Sequence, residues 1–161
     1  MKARVSLAAC AALLALAIST AAQGLPNFTG TWTLDVAKSD FGPIPGPESV
    51  VMVIDHKEPS LKVNTTQKSQ MGEATNDSTY TTDGKDNVNK MRTPAGEQDF
   101  KSTTKWSGKM LATNRTIEAQ GMSIGIDETW DLSPDGKVMT INRTLNTPQG
   151  AFNTKMVLNK K

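Results

Sequence analysis

The chain has 161 residues, with 18 Lys and Arg against 16 Asp and Glu, which gives a formal net charge of +2 at pH 7. Two of these basic residues lie in a predicted leader, so the remainder is near neutral and no nucleic-acid partner is expected. The single cysteine, Cys10, excludes an intramolecular disulfide, and the single histidine, His56, gives no support for a metal site or a catalytic triad. We therefore expect a protein that is not an enzyme and has no catalytic residues, cofactor or metal.

The first 22 residues have the pattern of a secretory leader. Lys2 and Arg4 precede an apolar run over residues 5–18, and residues 20–22 are small enough for a cleavage site. A rival interpretation takes residues 7–10 as a lipoprotein box, although the apolar run continues past Cys10. The sequence predicts a signal peptide over 1–22, a single domain over 23–161 and a periplasmic or secreted protein. No later segment is long and apolar enough for a membrane span.

The first predicted strand covers residues 28–34. Its apolar and polar residues alternate, so that Phe28, Trp32 and Leu34 share one face. Gly30 lets another element approach the backbone closely, and the Trp32 indole is large enough to plug one end of a core. We therefore expect structural roles for Gly30 and Trp32.

A proline-rich segment and a second strand follow. Residues 35–47 contain three prolines, which predict a surface loop rather than a helix or an inner strand. Residues 49–54 form a nearly continuous apolar run, which predicts a strand covered on both faces. His56 comes directly after this run, between Asp55 and Lys57, and is expected to be a solvated turn residue.

Glycine-containing turn signals then recur along the rest of the chain. They fall at residues 83–84, 95–96, 107–108, 120–121, 135–136 and 149–150. Each interval leaves room for one strand of about ten residues and a two-residue hairpin turn. With no amphipathic helix in view, the pattern predicts an all-β, up-and-down antiparallel meander of about ten strands. Closure into a β-barrel hides the edges of such a meander, and uniformly short hairpins favour the barrel over a sandwich.

Tight turns fix the register, and the register fixes which side chains face inward. The late strands then present Asn114, Asp127 and Asn142 to solvent. Their inward face is mainly apolar with polar and charged members: Tyr80, Asn87, Asn89, Phe100, Ser102, Thr104, Trp106, Leu111, Thr113, Arg115, Ile126, Glu128, Trp130, Met139, Ile141 and Arg143.

The predicted inner face carries one carboxylate and two guanidinium groups. The register places Glu128 opposite Arg143 and diagonal to Arg115, within reach of both. The three charges either satisfy one another and pin the barrel, or leave one positive charge for an anionic ligand group. The candidate ligand-binding residues are Arg115, Glu128, Arg143, Tyr80, Trp106, Trp130, Asn89 and Thr113.

Short motifs carry a resemblance to a known group of barrels. They are Gly-Thr-Trp at 30–32, Ala-Lys-Ser at 37–39, Phe-Gly-Pro at 41–43 and Met-Val-Leu at 156–158. With the leader and the meander, they resemble exported bacterial lipocalin-like, calycin-type β-barrel proteins. In lipocalins the glycine-spaced Trp packs beneath an Arg of a late strand, which implies Arg143 as the partner of Trp32. Ten strands and interior arginines also resemble fatty-acid-binding-type barrels, which implies a ligand carboxylate bound by Arg115 and Arg143. Their helical lid has no counterpart here.

Two functions remain open on the sequence. The first is an exported, monomeric barrel that binds a small, partly apolar ligand, anionic or neutral, in its interior. The alternative is a structural or protein-interaction module with a filled core and no small ligand. A cavity above about 300 Å³ favours the first. An interior packed with side chains such as Trp106, Trp130, Met139 and Phe152 favours the second.

Overall fold

The computed structural model describes residues 24–70, 72–93, 96–119 and 121–161. The predicted signal peptide, residues 1–22, lies outside the described residues. Within the described ranges no helix is long and apolar enough to cross a membrane. The predicted antiparallel meander of about ten strands is confirmed. The strands are β1 (Gly30–Leu34), β2 (Ser49–Lys57), β3 (Ser60–Ser69), β4 (Gly72–Thr81), β5 (Asp83–Thr93), β6 (Gly96–Ser107), β7 (Met110–Ala119), β8 (Met122–Leu132), β9 (Val138–Thr147) and β10 (Gly150–Lys160).

All ten strands form one antiparallel sheet, in the order β4–β3–β2–β1–β10–β9–β8–β7–β6–β5. Because β1 pairs with both β2 and β10, the sheet curls round into a nearly closed barrel. The hairpins that follow β3, β5, β7 and β9 lie at one end, hereafter the open end. Those that follow β2, β4, β6 and β8 lie at the other, hereafter the closed end. Neither end carries an α-helix in the described ranges.

The barrel is completed between β4 and β5 by asparagine side chains rather than by a backbone ladder. The Asn89 Oδ1 accepts a hydrogen bond from the backbone N–H of Thr79 at 2.7 Å, and its Nδ2 donates to the Thr79 carbonyl at 3.0 Å. Nearer the open end, the Oδ1 of Asn76 accepts from the backbone N–H of Arg92 at 3.0 Å. A side-chain amide offers the same donor and acceptor as a peptide group. These side chains therefore close the joint between β4 and β5, hereafter the seam.

The predicted register is correct in two of the late hairpins and displaced in two others. Between β8 and β9, Glu128 pairs with Arg143, and the β7–β8 register is also as predicted. Between β6 and β7, however, Trp106 pairs with Leu111 rather than with Lys109, because Gly108 is the first residue of its turn and not the second. The β9–β10 hairpin is displaced by two positions in the opposite direction, because Gly150 already pairs with Thr147 and the turn is formed by the two residues before it. A displacement of two positions keeps every side chain on its predicted face, since strand side chains alternate with period two.

Apolar side chains fill the half of the barrel next to the closed end. Trp32, Leu111, Met139 and Leu158 have no exposed surface. The Trp32 Nε1 donates a hydrogen bond to the Phe28 carbonyl at 2.9 Å, so the indole is buried with its only donor satisfied. This half of the barrel is a packed core.

The cation above Trp32 is a lysine. The resemblance to lipocalins implied Arg143 for this place, and that prediction is wrong. The Nζ of Lys160 lies 5.2 Å from the Trp32 ring centre, whereas Arg143 turns into the barrel toward Glu128. Gly30 makes room for the lysine, because a Cβ at Gly30 would stand 2.5 Å from the Lys160 Cε.

Two predictions for β2 are also wrong. The strand is covered on one face only, since Val53 is 49% exposed while Met52 and Ile54 are buried. His56 is not a solvated turn residue. It is 3% exposed because it continues the inward-facing alternation of Met52 and Ile54.

The loop between β1 and β2 is a surface loop, and its first part follows the edge of β10 beyond the end of β1. Its first part is a 3-10 helix, Val36–Lys38. The backbone N–H of Asp35 donates to the Val157 carbonyl at 2.8 Å, and Asp40 forms a bridge with Lys155. These contacts hold the start of the loop against the edge of β10 that β1 does not cover.

Candidate functional site

The half of the barrel next to the open end contains a cavity of about 340 Å³. Its wall is mainly apolar, with a charged floor and a rim that is partly polar. The lining residues are Val50, Met52, Val63, Thr65, Gln67, Asn76, Ser78, Tyr80, Lys90, Met91, Phe100, Arg115, Ile117, Ile126, Glu128, Trp130, Ile141, Arg143, Leu145 and Met156.

The charged floor consists of Arg115 on β7, Glu128 on β8 and Arg143 on β9. The Oε1 atom of Glu128 accepts hydrogen bonds from the Arg115 Nη2 at 2.8 Å and from the Arg143 Nε at 2.6 Å. Its Oε2 atom accepts a third from the Trp130 Nε1 at 3.2 Å. The structure thus brings the three charged side chains together, as the register predicted.

Burial and ion pairing have opposite effects on the pKa of Glu128. Its side chain is 3% exposed, and burial alone would raise the pKa of the carboxyl group. Arg115 and Arg143 outweigh burial and lower the pKa of Glu128 to about 2. The carboxylate is therefore ionised at neutral pH and neutralises one of the two guanidinium groups.

Arg115 is charged and has one buried N–H group without a hydrogen-bond partner. Burial would lower the pKa of Arg115, but Glu128 and then Tyr80 raise it, so the guanidinium stays charged. Its Cζ atom lies 5.7 Å from the Phe100 ring centre, on one face of the ring. Among the described residues, the buried side-chain polar atoms without a hydrogen-bond partner are Arg115 Nε and Ser102 Oγ. The floor thus carries one positive charge in excess.

Five of the eight predicted ligand-binding residues line this cavity: Tyr80, Arg115, Glu128, Trp130 and Arg143. The other three face inward but lie outside its lining. Asn89 holds the seam, and Thr113 is hydrogen-bonded to Thr104 through their hydroxyl groups at 2.9 Å. Trp106 belongs to the closed end, where its ring centre stands 6.2 Å from that of Phe28.

A polar network at the closed end was not predicted from the sequence. The Nδ1 atom of His56 accepts from the Phe28 backbone N–H at 3.3 Å, and its Nε2 is 2.9 Å from the Glu58 Oε1. Trp106 Nε1 donates to the same carboxylate oxygen at 2.9 Å, and the Thr82 hydroxyl donates to the other. The alternation along β2 would have placed His56 inside. No sequence signal pointed to Glu58, which follows the strand.

The comparisons with known proteins concern the fold. No protein-family model matches the chain, and no curated protein matches its sequence. Many solved structures are similar, and three of them serve as examples. The wild-type fluorescent protein UnaG matches at 14% identity with a TM-score of 0.55, over 83% of this chain and 97% of that one.

The second is the zebrafish ileal bile acid-binding protein complexed with cholic acid, at 19% identity and a TM-score of 0.53 over 83% of this chain and 98% of that one. The third is the secretory abundant heat soluble protein 4 from Ramazzottius varieornatus, at 13% identity and a TM-score of 0.56 over 86% and 99%. The fold is that of the fatty-acid-binding-type calycin barrels. At such low identities the structural similarity establishes the architecture alone, and any function has to be argued from the site itself.

Proposed function

We propose that this barrel binds one small, mainly apolar molecule that carries an anionic group. The observation on which the proposal rests is the hollow, charged half of the barrel. The cavity of about 340 Å³ exceeds the size of about 300 Å³ at which small-molecule sites begin. Its wall is mainly apolar, and three charged side chains converge at its floor, which is the usual composition of a ligand site.

The charge balance of the floor favours an anion. Glu128 is ionised and is shared by Arg115 and Arg143, so one positive charge is left at the floor of the cavity. A carboxylate, sulfonate or phosphate group would accept a charge-assisted hydrogen bond from the guanidinium group of Arg115, whose side chain is 19% exposed. The bile acid-binding neighbour, complexed with cholic acid, supports the proposal by analogy of fold.

The alternative, a module with a filled core, agrees with only half of the barrel. Trp32, Leu111 and Met139 fill the closed end as that function requires, but the open half is hollow. The proposal also includes a monomeric state and export of the protein. The leader-like sequence of residues 1–22 supports the export. The mass of the protein isolated from its native compartment tests the cleavage near residue 23.

Calorimetric titration with decanoate and with decan-1-ol tests the proposal. The two probes have the same chain, so their difference reports the anionic group. A charge-assisted hydrogen bond is worth about 1.5–3 kcal/mol, which makes decanoate bind about 10-fold to 150-fold more tightly. Arg115→Met should abolish this preference. Arg92→Met, the same change at an exposed arginine on the outer wall, should leave it unchanged. Failure of both probes to bind, or equal affinity for the two, overturns the proposal.

A further inference from the structure

The packed core limits how deeply a ligand can penetrate the barrel. Next to the charged floor, the lining of the cavity ends at Trp130 and Ile141, both of which are buried and pack against the core of the closed half. Beneath them Leu111, Met139 and Leu158 have no exposed surface. No part of a ligand can pass this level without displacing core side chains. A ligand therefore occupies the open half alone.

The volume of the open half sets the size of its occupant. A water molecule takes about 30 Å³ in the liquid, so a cavity of about 340 Å³ holds about eleven groups of that size. Its depth agrees with this figure. On β4 the lining runs from Tyr80 to Asn76, and on β3 from Val63 to Gln67, which is four residues or about 13 Å of strand in each case.

The rim of the cavity is partly polar, although Met91, Ile117 and Leu145 also reach it. Gln67, Asn76 and Lys90 stand where the lining ends toward the open end, and Lys90 also lies 3.8 Å from the Glu97 carboxylate on the outer surface. An apolar chain that passed this rim would meet polar groups and water, so it would bury little further surface. Each methylene inside the cavity strengthens binding by about 0.8 kcal/mol, whereas a methylene beyond the rim adds almost nothing.

We propose that the ligand is a short amphipathic anion of about eleven non-hydrogen atoms, comparable with an alkanoate of nine or ten carbons or a single-ring aromatic acid. Its anionic group lies at Arg115 on the floor, and its apolar part fills the space up to the rim. This inference rests on the proposed function and adds the size class of the ligand. Larger amphiphiles bind only by leaving their excess length in solvent.

A series of straight-chain alkanoates from hexanoate to hexadecanoate, each below its micellar concentration, tests the inference by calorimetry. The affinity should rise about fourfold for each methylene up to about decanoate. From dodecanoate to hexadecanoate it should stay constant within about twofold. An affinity that continues to rise about fourfold per methylene through hexadecanoate overturns the size class, while the proposed function stands. Absence of binding by every alkanoate overturns the proposed function instead.

A matched pair of variants locates the limit within the cavity. Val63→Phe adds four carbon atoms inside the hollow half. The break in the series, which is the chain length at which the affinity stops rising, should then move from about ten carbons to about six. Val53→Phe makes the same change on the exposed face of β2, and should leave the break where it is. A break that stays at the same chain length in folded Val63→Phe overturns the assignment. If that variant does not fold, the wild-type series alone decides.

Discussion

Replacing Glu128 with glutamine should weaken the barrel in a way that depends on pH. The substitution keeps the shape of the side chain but removes the charge that Arg115 and Arg143 share at 2.8 and 2.6 Å. Two guanidinium groups then face each other across a buried amide. At pH 7 the free energy of unfolding should fall by about 3 kcal/mol or more, because breaking a buried ion pair costs about 3–5 kcal/mol.

The pH dependence follows from the lowered pKa of Glu128. The difference between the ordinary value of 4.5 and about 2 corresponds to about 3 kcal/mol. Because the pKa is lower in the folded state, this stabilisation is complete above pH 4.5 and is lost as the pH falls toward 2. About half of it should remain near pH 3. The stability difference between wild type and Glu128→Gln should therefore shrink across this interval.

Urea unfolding followed by tryptophan fluorescence at pH 7, 5, 4 and 3 measures this difference. Glu118→Gln is the matched control, since Glu118 is exposed on the outer wall of β7. It should change stability by no more than about 0.5 kcal/mol at any of these pH values. A constant difference between wild type and Glu128→Gln from pH 7 to pH 3 would refute the argument. So would a loss at pH 7 as small as that of the control.

Two further changes probe the packed half and its polar pair. Trp32→Ala should cost about 3–5 kcal/mol in thermal or urea unfolding, because the indole is fully buried, and a loss below 1 kcal/mol would contradict the packed core. Thr113→Val should cost about 1–3 kcal/mol by leaving the buried Thr104 hydroxyl without its partner at 2.9 Å. The double variant Thr104→Val/Thr113→Val should recover part of that loss, and strict additivity of the two single changes would show that the hydroxyl groups are not coupled.

The inward faces of the late strands could be predicted because they depend only on whether a residue occupies an odd or an even position along its strand. Glycine marks where the chain reverses, but it does not say whether it is the first or second residue of the turn. The resulting error displaced Trp106 by two positions and left it on the correct face. The pairing of Glu128 with Arg143 followed from a turn whose position was correct.

The contacts that the sequence did not reveal depend on closure of the barrel. The approach of Lys160 to Trp32 needs β1 to pair with β10, at opposite ends of the described chain. The contact of Glu58 with Trp106 likewise joins two hairpins that are 48 residues apart. The positions of the turns determine the register of strands that are consecutive in the chain only. They therefore give no information on such distant contacts. The hollow half was equally hidden, because a list of inward residues does not specify how much space they leave.

The seam is the junction at which the barrel should open most easily. Every other junction between neighbouring strands is a ladder of peptide hydrogen bonds, whereas β4 and β5 are held by a few amide side chains such as Asn76 and Asn89. Segments with few main-chain hydrogen bonds separate at a lower free energy than the rest of a protein. Spontaneous fluctuations should therefore part the wall first along this line, and amide protons next to it should exchange with solvent sooner than those of β8 and β9.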